Sequence, residues 1–221
     1  MYFFTDNQLL GYKKMKLESY INSGKIRALH PVFKSWIDTN SEYLKYFDIP
    51  DCPWWYNERA SLSTFAAAVW KANGIALEEY SIDKGKKHET WSGRCDLFIG
   101  LRSYQFACEA KQSWCPIGRN ARNGITNLKN SLKEACKDAR KLNKDEGRRL
   151  GICFAVPYLP PRDNDFIEKQ LENWIKTIYE SVEYDSIAWF FSEKIRRTIR
   201  NDNGYFYPGI AVIIKEIHKQ V

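Results

Sequence analysis

No apolar run in the 221 residues approaches the ~18 needed to cross a bilayer, so no membrane-spanning helix is expected. The opening MYFFTDNQLLGYKK lacks the basic start, long apolar segment and small-residue cleavage site of a secretory signal. The six cysteines, at 52, 95, 108, 115, 136 and 153, form no CxxC pair, and Cys95, Cys108 and Cys153 sit inside apolar runs. That spacing speaks against a zinc site or a disulfide framework and points to reduced core thiols in a cytoplasmic protein. His30, His88 and His218 are scattered and form no ligand pattern. Internal repeats and low-complexity segments are missing too.

What remains is aromatic and basic. Eight Trp and a 15% aromatic content argue for a packed core. The formal charge of +7, with a pI near 9.0, favours a polyanionic partner such as nucleic acid, and the lack of a long apolar run leaves no membrane partner expected. The length suits one domain, or one domain with an appendage. Residues 1–52 read as a helical extension packed on the remainder, 53–221, with helices over 7–20 and, starting at Pro31, to about 47. The Ala-rich segment 57–73 reads as a helix with Leu62, Phe65, Ala66, Val69 and Trp70 on one stripe and Gly74 as its stop. A strand follows over 75–83, then a charged loop or exposed hairpin tip over 84–92. Helices are expected over 125–143 and 163–182, and strands over 150–157, 186–191 and 209–217. The alternation implies an α/β protein with a mixed sheet flanked by helices.

The stretch GRCDLFIGLRSYQFACEAKQSW, residues 93–114, organises the chain. Two apolar runs flank a turn at 101–103, the pattern of an antiparallel hairpin. Asp96 near the start of one strand lies roughly across from Glu109 near the end of the other. Lys111 shares the face of Glu109, whereas Ala110 points away. Two carboxylates and an ammonium at one end of a buried hairpin require compensation, most simply by a divalent cation.

Asp96, twelve intervening residues and then Glu109-Ala110-Lys111 resemble the PD-(D/E)xK signature of restriction-endonuclease-like nucleases, with Cys95 where the name has proline. The expected order of helix, three strands, helix and strand over 57–157 resembles that family's αβββαβ core. The resemblance implies a metal-dependent nuclease that cuts DNA rather than RNA, working alone, as a homodimer or within a larger nuclease complex. Asp96 and Glu109 would hold Mg²⁺ or Mn²⁺ together with the carbonyl of Ala110 and water. Lys111 would orient or deprotonate the attacking water, or steady the charge of the transition state. Glu58 matches the acidic residue that the preceding helix often donates to the metal site, although its place in a first helical turn also suits the helix dipole. Gln112 would contact substrate or make a structural bond. Arg119 and Arg122, in a basic loop, and Lys129 and Lys133, on the next helix, would meet the phosphate backbone or simply face solvent. The alternative is a non-catalytic nucleic-acid-binding or assembly protein that keeps the fold.

Overall fold

The computed structural model describes residues 16–46, 50–86, 89–143, 147–161, 166–200 and 203–218. In chain order the elements are β1 (Ser19–Asn22), α1 (His30–Tyr46), α2 (Glu58–Lys71), β2 (Ile75–Lys86), β3 (Glu89–Leu101) and β4 (Tyr104–Pro116). They continue as α3 (Ala121–Ala139), β5 (Arg148–Tyr158), α4 (Ile167–Ser181), β6 (Ser186–Phe190), the one-turn α5 (Glu193–Arg196) and β7 (Ile210–Ile217). Seven strands form one mixed sheet in the order β1-β6-β7-β5-β4-β3-β2. Only β4 and β5 pair in parallel; every other neighbouring pair is antiparallel. No helix among the described residues is long and apolar enough to cross a membrane.

The strand β5 explains the sheet's centre. It is buried from Arg149 to Pro157, which suits a strand with neighbours on both edges and helices on both faces. One face carries α1 and α2, which bring Val32, Phe33, Trp36, Leu62 and Phe65 onto Ile152, Phe154 and Val212. The opposite face carries α3 and α4, whose Ile125, Leu128, Leu132, Leu171 and Trp174 cover Cys153, Ala155 and Ile213. Each such side chain removed from water contributes roughly 1.5–3 kcal/mol.

The helix before the hairpin has well-defined ends. The Asn57 side chain accepts from the Ala60 N–H at 3.1 Å and caps the start of α2. The left-handed residue at its end is Asn73, at φ 60°, and the Gly74 N–H then closes on the Val69 carbonyl at 2.9 Å. Gly74 is there for room, since a Cβ would stand 2.6 Å from Leu101 Cδ2. Trp70 does not share the buried stripe. It is 54% exposed, because one residue past Val69 turns it ~100° toward solvent.

One further expectation needs correcting. The helix over 7–20 lies partly outside the described residues, and its end is strand: Ser19 pairs with Phe190, and the Tyr20 ring stacks on Trp189 at 4.6 Å. The N-terminal stretch thus contributes β1 to the common sheet, and Ile26, Leu29, Cys52 and Trp54 share the α1/α2 core. Of the two readings of the charged segment over 84–92, the hairpin is the one observed, with β2 and β3 paired down to Lys86↔Glu89.

Candidate metal centre

The strands β3 and β4 pair from Leu101↔Tyr104 to Leu97↔Cys108 and then part. Beyond the fork, β4 runs on beside β5 to Pro116, while β3 stays with β2 in a two-stranded arm. The cause lies at Glu79 and Asp96, which the register places opposite each other between the pairs Glu78↔Leu97 and Tyr80↔Cys95. Glu79 adopts a left-handed φ of 54°, uncommon for a residue with a Cβ. Ala76 and Leu97 point into the α1/α2 core, whereas Ile82 and Cys95 pack with Ala107, Ala139 and Leu142 on the α3 side. In a regular strand, residues an even number apart share a face, so the arm turns over at this point. Arg59 and Arg94 both pair with the Glu79 carboxylate and hold the turn.

The fork leaves two backbone donors of β4 without a strand to bond. Asp96 Oδ2 accepts from the Ala110 N–H at 2.8 Å, and Glu58 Oε2 accepts from the Gln112 N–H at 2.9 Å. Satisfying a donor in this way avoids a cost of about 1–3 kcal/mol. The Gln112 side chain turns inward, where its Oε1 accepts from the Ser61 hydroxyl at 2.6 Å. Of its two readings, the structural bond is the one observed.

Glu109 and Lys111 lie on the α3 side of the same strand. Lys84 reaches over from the arm, which is tied down by the Gly85 N–H on the Lys141 carbonyl at 2.8 Å. Its ammonium stands 2.7 Å from Glu109 Oε1. Glu109 is only 4% exposed. Burial pushes its pKa up to about 7, and the charges of Asp96 and Asp138 add to the rise despite the bond from Lys84. Lys111 lies 3.7 Å from Asp138 Oδ2 on α3, and Lys141 donates to the other oxygen at 2.7 Å. Burial raises the Asp138 pKa, but the bond from Lys141 and the charges of Lys141, Lys111 and Lys84 leave it below the usual range.

Four consecutive β4 residues, 109–112, therefore gather Asp96, Glu109, Lys111 and Glu58 around one fork. Each carboxylate spends one oxygen on a protein donor: Oδ2 of Asp96, Oε1 of Glu109 and Oε2 of Glu58. The second oxygen of each bonds no protein donor among the described residues. No group of three Asp, Glu, His or Cys side chains among the described residues is placed to hold a metal ion. Magnesium-like ions do not need one, since they bind through one or two carboxylates and keep several waters. The donor set is all oxygen, the chemistry a hard cation prefers.

The basic residues stand apart from this cluster. Pro116 lies five residues past Lys111, ~16 Å along the strand. Arg119 follows in a 3-10 turn, Gly118–Asn120, and Arg122 in the first turn of α3; both are exposed. Lys129 and Lys133 are exposed on α3. They are turned ~180° and ~140° from Asp138 around the helix and so face away from the fork. Sequence reasoning missed Lys84 and Asp138. Lys84 was hidden in a polar segment that read equally as loop or exposed hairpin tip. Asp138 could have been found as the carboxylate one position before Ala139 on the buried stripe. No protein-family model, curated protein or solved structure matches the chain.

Proposed function

We propose that this chain is a Mg²⁺- or Mn²⁺-dependent nuclease of restriction-endonuclease-like architecture, hydrolysing phosphodiester bonds of DNA in preference to RNA. The observation that carries the proposal is the gathering of Asp96, Glu109, Lys111 and Glu58 about a strand fork in a chain of charge +7. The helix, three strands, helix and strand of Glu58–Tyr158 follow the order expected of that architecture. Asp96 and Glu109 would hold the ion together with the Ala110 carbonyl. The ion would acidify a water and offset charge on the scissile phosphate. Lys111 would orient that water, take its proton, or balance charge on the phosphate oxygens. Glu58, fixed through Oε2, would keep Oε1 for a second ion or its water. Cutting both strands would call for a homodimer or a larger nuclease complex. A cytoplasmic setting suits the six described cysteines, all buried and unpaired.

A second reading draws on the ion pairs Lys84–Glu109 and Lys111–Asp138. These already balance the two central residues and suit a non-catalytic nucleic-acid-binding or assembly protein. The deciding experiment incubates wild type and Lys111→Ala with plasmid DNA, linear DNA and RNA in Mn²⁺. Cleavage by wild type alone supports the nuclease. No cleavage above the Lys111→Ala background on any substrate leaves the binding protein.

A further inference from the structure

A cleft of about 690 Å³ opens at the far ends of the parallel pair β4 and β5, well away from the carboxylates. Its size is that of a small-molecule site, large enough for a nucleotide. Pro116 and Tyr158 end the two strands side by side and form its floor. One wall is the start of α3 with Arg119, Asn120 and Asn123. The other is Tyr158, Pro160, Pro161 and Tyr205.

Each part of this lining matches a part of one unstacked nucleotide. The Tyr205 ring meets Tyr158 edge-on, with centroids 5.5 Å apart, and remains 37% exposed. An exposed aromatic ring in a cleft can take a planar partner, which is how proteins take bases from single strands. The amides of Asn120 and Asn123 offer both donors and acceptors, the complement of a base edge. Asn120 at the start of α3 makes no side-chain cap, and the first turn holds no acidic residue. The positive end of the helix dipole and the Arg119 guanidinium together suit a phosphate. Aromatic contacts also join the cleft to the fork. Trp114, two residues past Gln112, meets Tyr207 at 5.4 Å; Tyr207 meets Tyr158 at 5.8 Å; and Tyr158 meets Tyr205.

We infer that this cleft is a nucleotide subsite for single-stranded nucleic acid, seating one unpaired base against Tyr205 with its phosphate at Arg119 and the start of α3. The inference rests on the nucleic-acid reading above and narrows it to a strand end, gap or overhang some distance from the cut. A paired base keeps both faces stacked and cannot enter.

Fluorescence anisotropy tests this with the full chain in EDTA, where no hydrolysis interferes. The probes are a labelled oligothymidylate of about a dozen nucleotides, within the ~4–16 of known single-strand footprints, and its duplex with oligoadenylate. Wild type should prefer the single strand at least tenfold. Tyr205→Ala, at an exposed position, should lose ~5–150-fold of single-strand affinity, the usual range for one stacked base. Tyr205→Phe should restore it, and Asn123→Ala should weaken it several-fold. The inference is overturned if wild type binds the duplex as tightly, if it binds neither probe, or if Tyr205→Ala binds the single strand like wild type. Cleavage in Mn²⁺ is scored separately. Loss of the stacking effect with cleavage intact sinks the subsite alone, and the reverse sinks the nuclease alone.

Discussion

Lys84 of β2 places its ammonium 2.7 Å from Glu109 of β4, although the two strands are separated in the sheet by β3. The arm formed by β2 and β3 crosses the α3 side of the sheet to bring them together. Replacing Lys84 with Met strands a carboxylate that is almost fully buried. Removing one partner of a buried pair commonly costs ~3–5 kcal/mol. Glu109 already favours its proton and can neutralise, so the expected loss at neutral pH is ~1–3 kcal/mol. Urea unfolding of Lys84→Met in EDTA measures it. Lys84→Met/Glu109→Gln should recover most of the loss, and a double variant no more stable than the single one would refute the pairing.

The pKa of Glu109 sets the sign of a pH effect. Its ordinary value is 4.5 and its folded value about 7, so between these the native chain keeps a proton that the unfolded chain releases. Its contribution to stability is therefore fullest below 4.5 and is lost as pH rises to about 7. In EDTA, wild type should lose stability relative to Glu109→Gln across that window. With saturating Mn²⁺ the difference should shrink or invert, because the ion favours the ionised carboxylate. Parallel pH curves for the two proteins in EDTA would contradict the assignment.

The sheet and its two helical faces were legible because burial writes them into the sequence. The run LGICFAVP and the stripe from Ile125 to Leu142 announce a covered strand and an amphipathic helix. Glu58 could be singled out because the helix start at Asn57 is explicit. The arm was only half legible, with loop and hairpin tip both open over 84–92, since its solvent-facing strands are as polar as a loop and pairing through backbone bonds leaves no pattern in side chains. The reversal at Glu79 was hidden for a related reason: two arginines hold a residue whose type gives no sign of a left-handed backbone. Without that reversal, neither Lys84 beside Glu109 nor the free edge of β4 can be foreseen.

Asp96 serves two purposes that substitution can separate. Asp96→Asn keeps a side-chain oxygen to accept from the Ala110 N–H, while Asp96→Ala leaves that donor bare. The alanine variant should lose ~1–3 kcal/mol of stability and the asparagine variant less than ~1. Both should lose the heat of Mn²⁺ binding in calorimetry, because each removes the charge. Glu58→Gln should behave like Asp96→Asn in stability, with its amide oxygen on the Gln112 N–H. Metal binding unchanged in Asp96→Asn would leave Asp96 as a strand cap and nothing more.

Lys84 and Asp138 act on Glu109 with opposite signs, and this gives the most demanding test of the site. The Lys84 ammonium lowers the Glu109 pKa, whereas the Asp138 carboxylate raises it. An ion bound through Glu109 must displace any proton there, so Mn²⁺ affinity should climb with pH around the Glu109 midpoint. Lys84→Met should move that midpoint upward and Asp138→Asn should move it downward, even though both substitutions break an ion pair beside β4. General loss of structure would move both the same way. Asp138→Asn also frees Lys111 and Lys141, at a stability cost of only ~0–1 kcal/mol for each of these partly exposed pairs. Calorimetric Mn²⁺ titrations of the three proteins across neutral pH decide the matter: shifts of one sign, or none, would mean that Glu109 does not bind the ion.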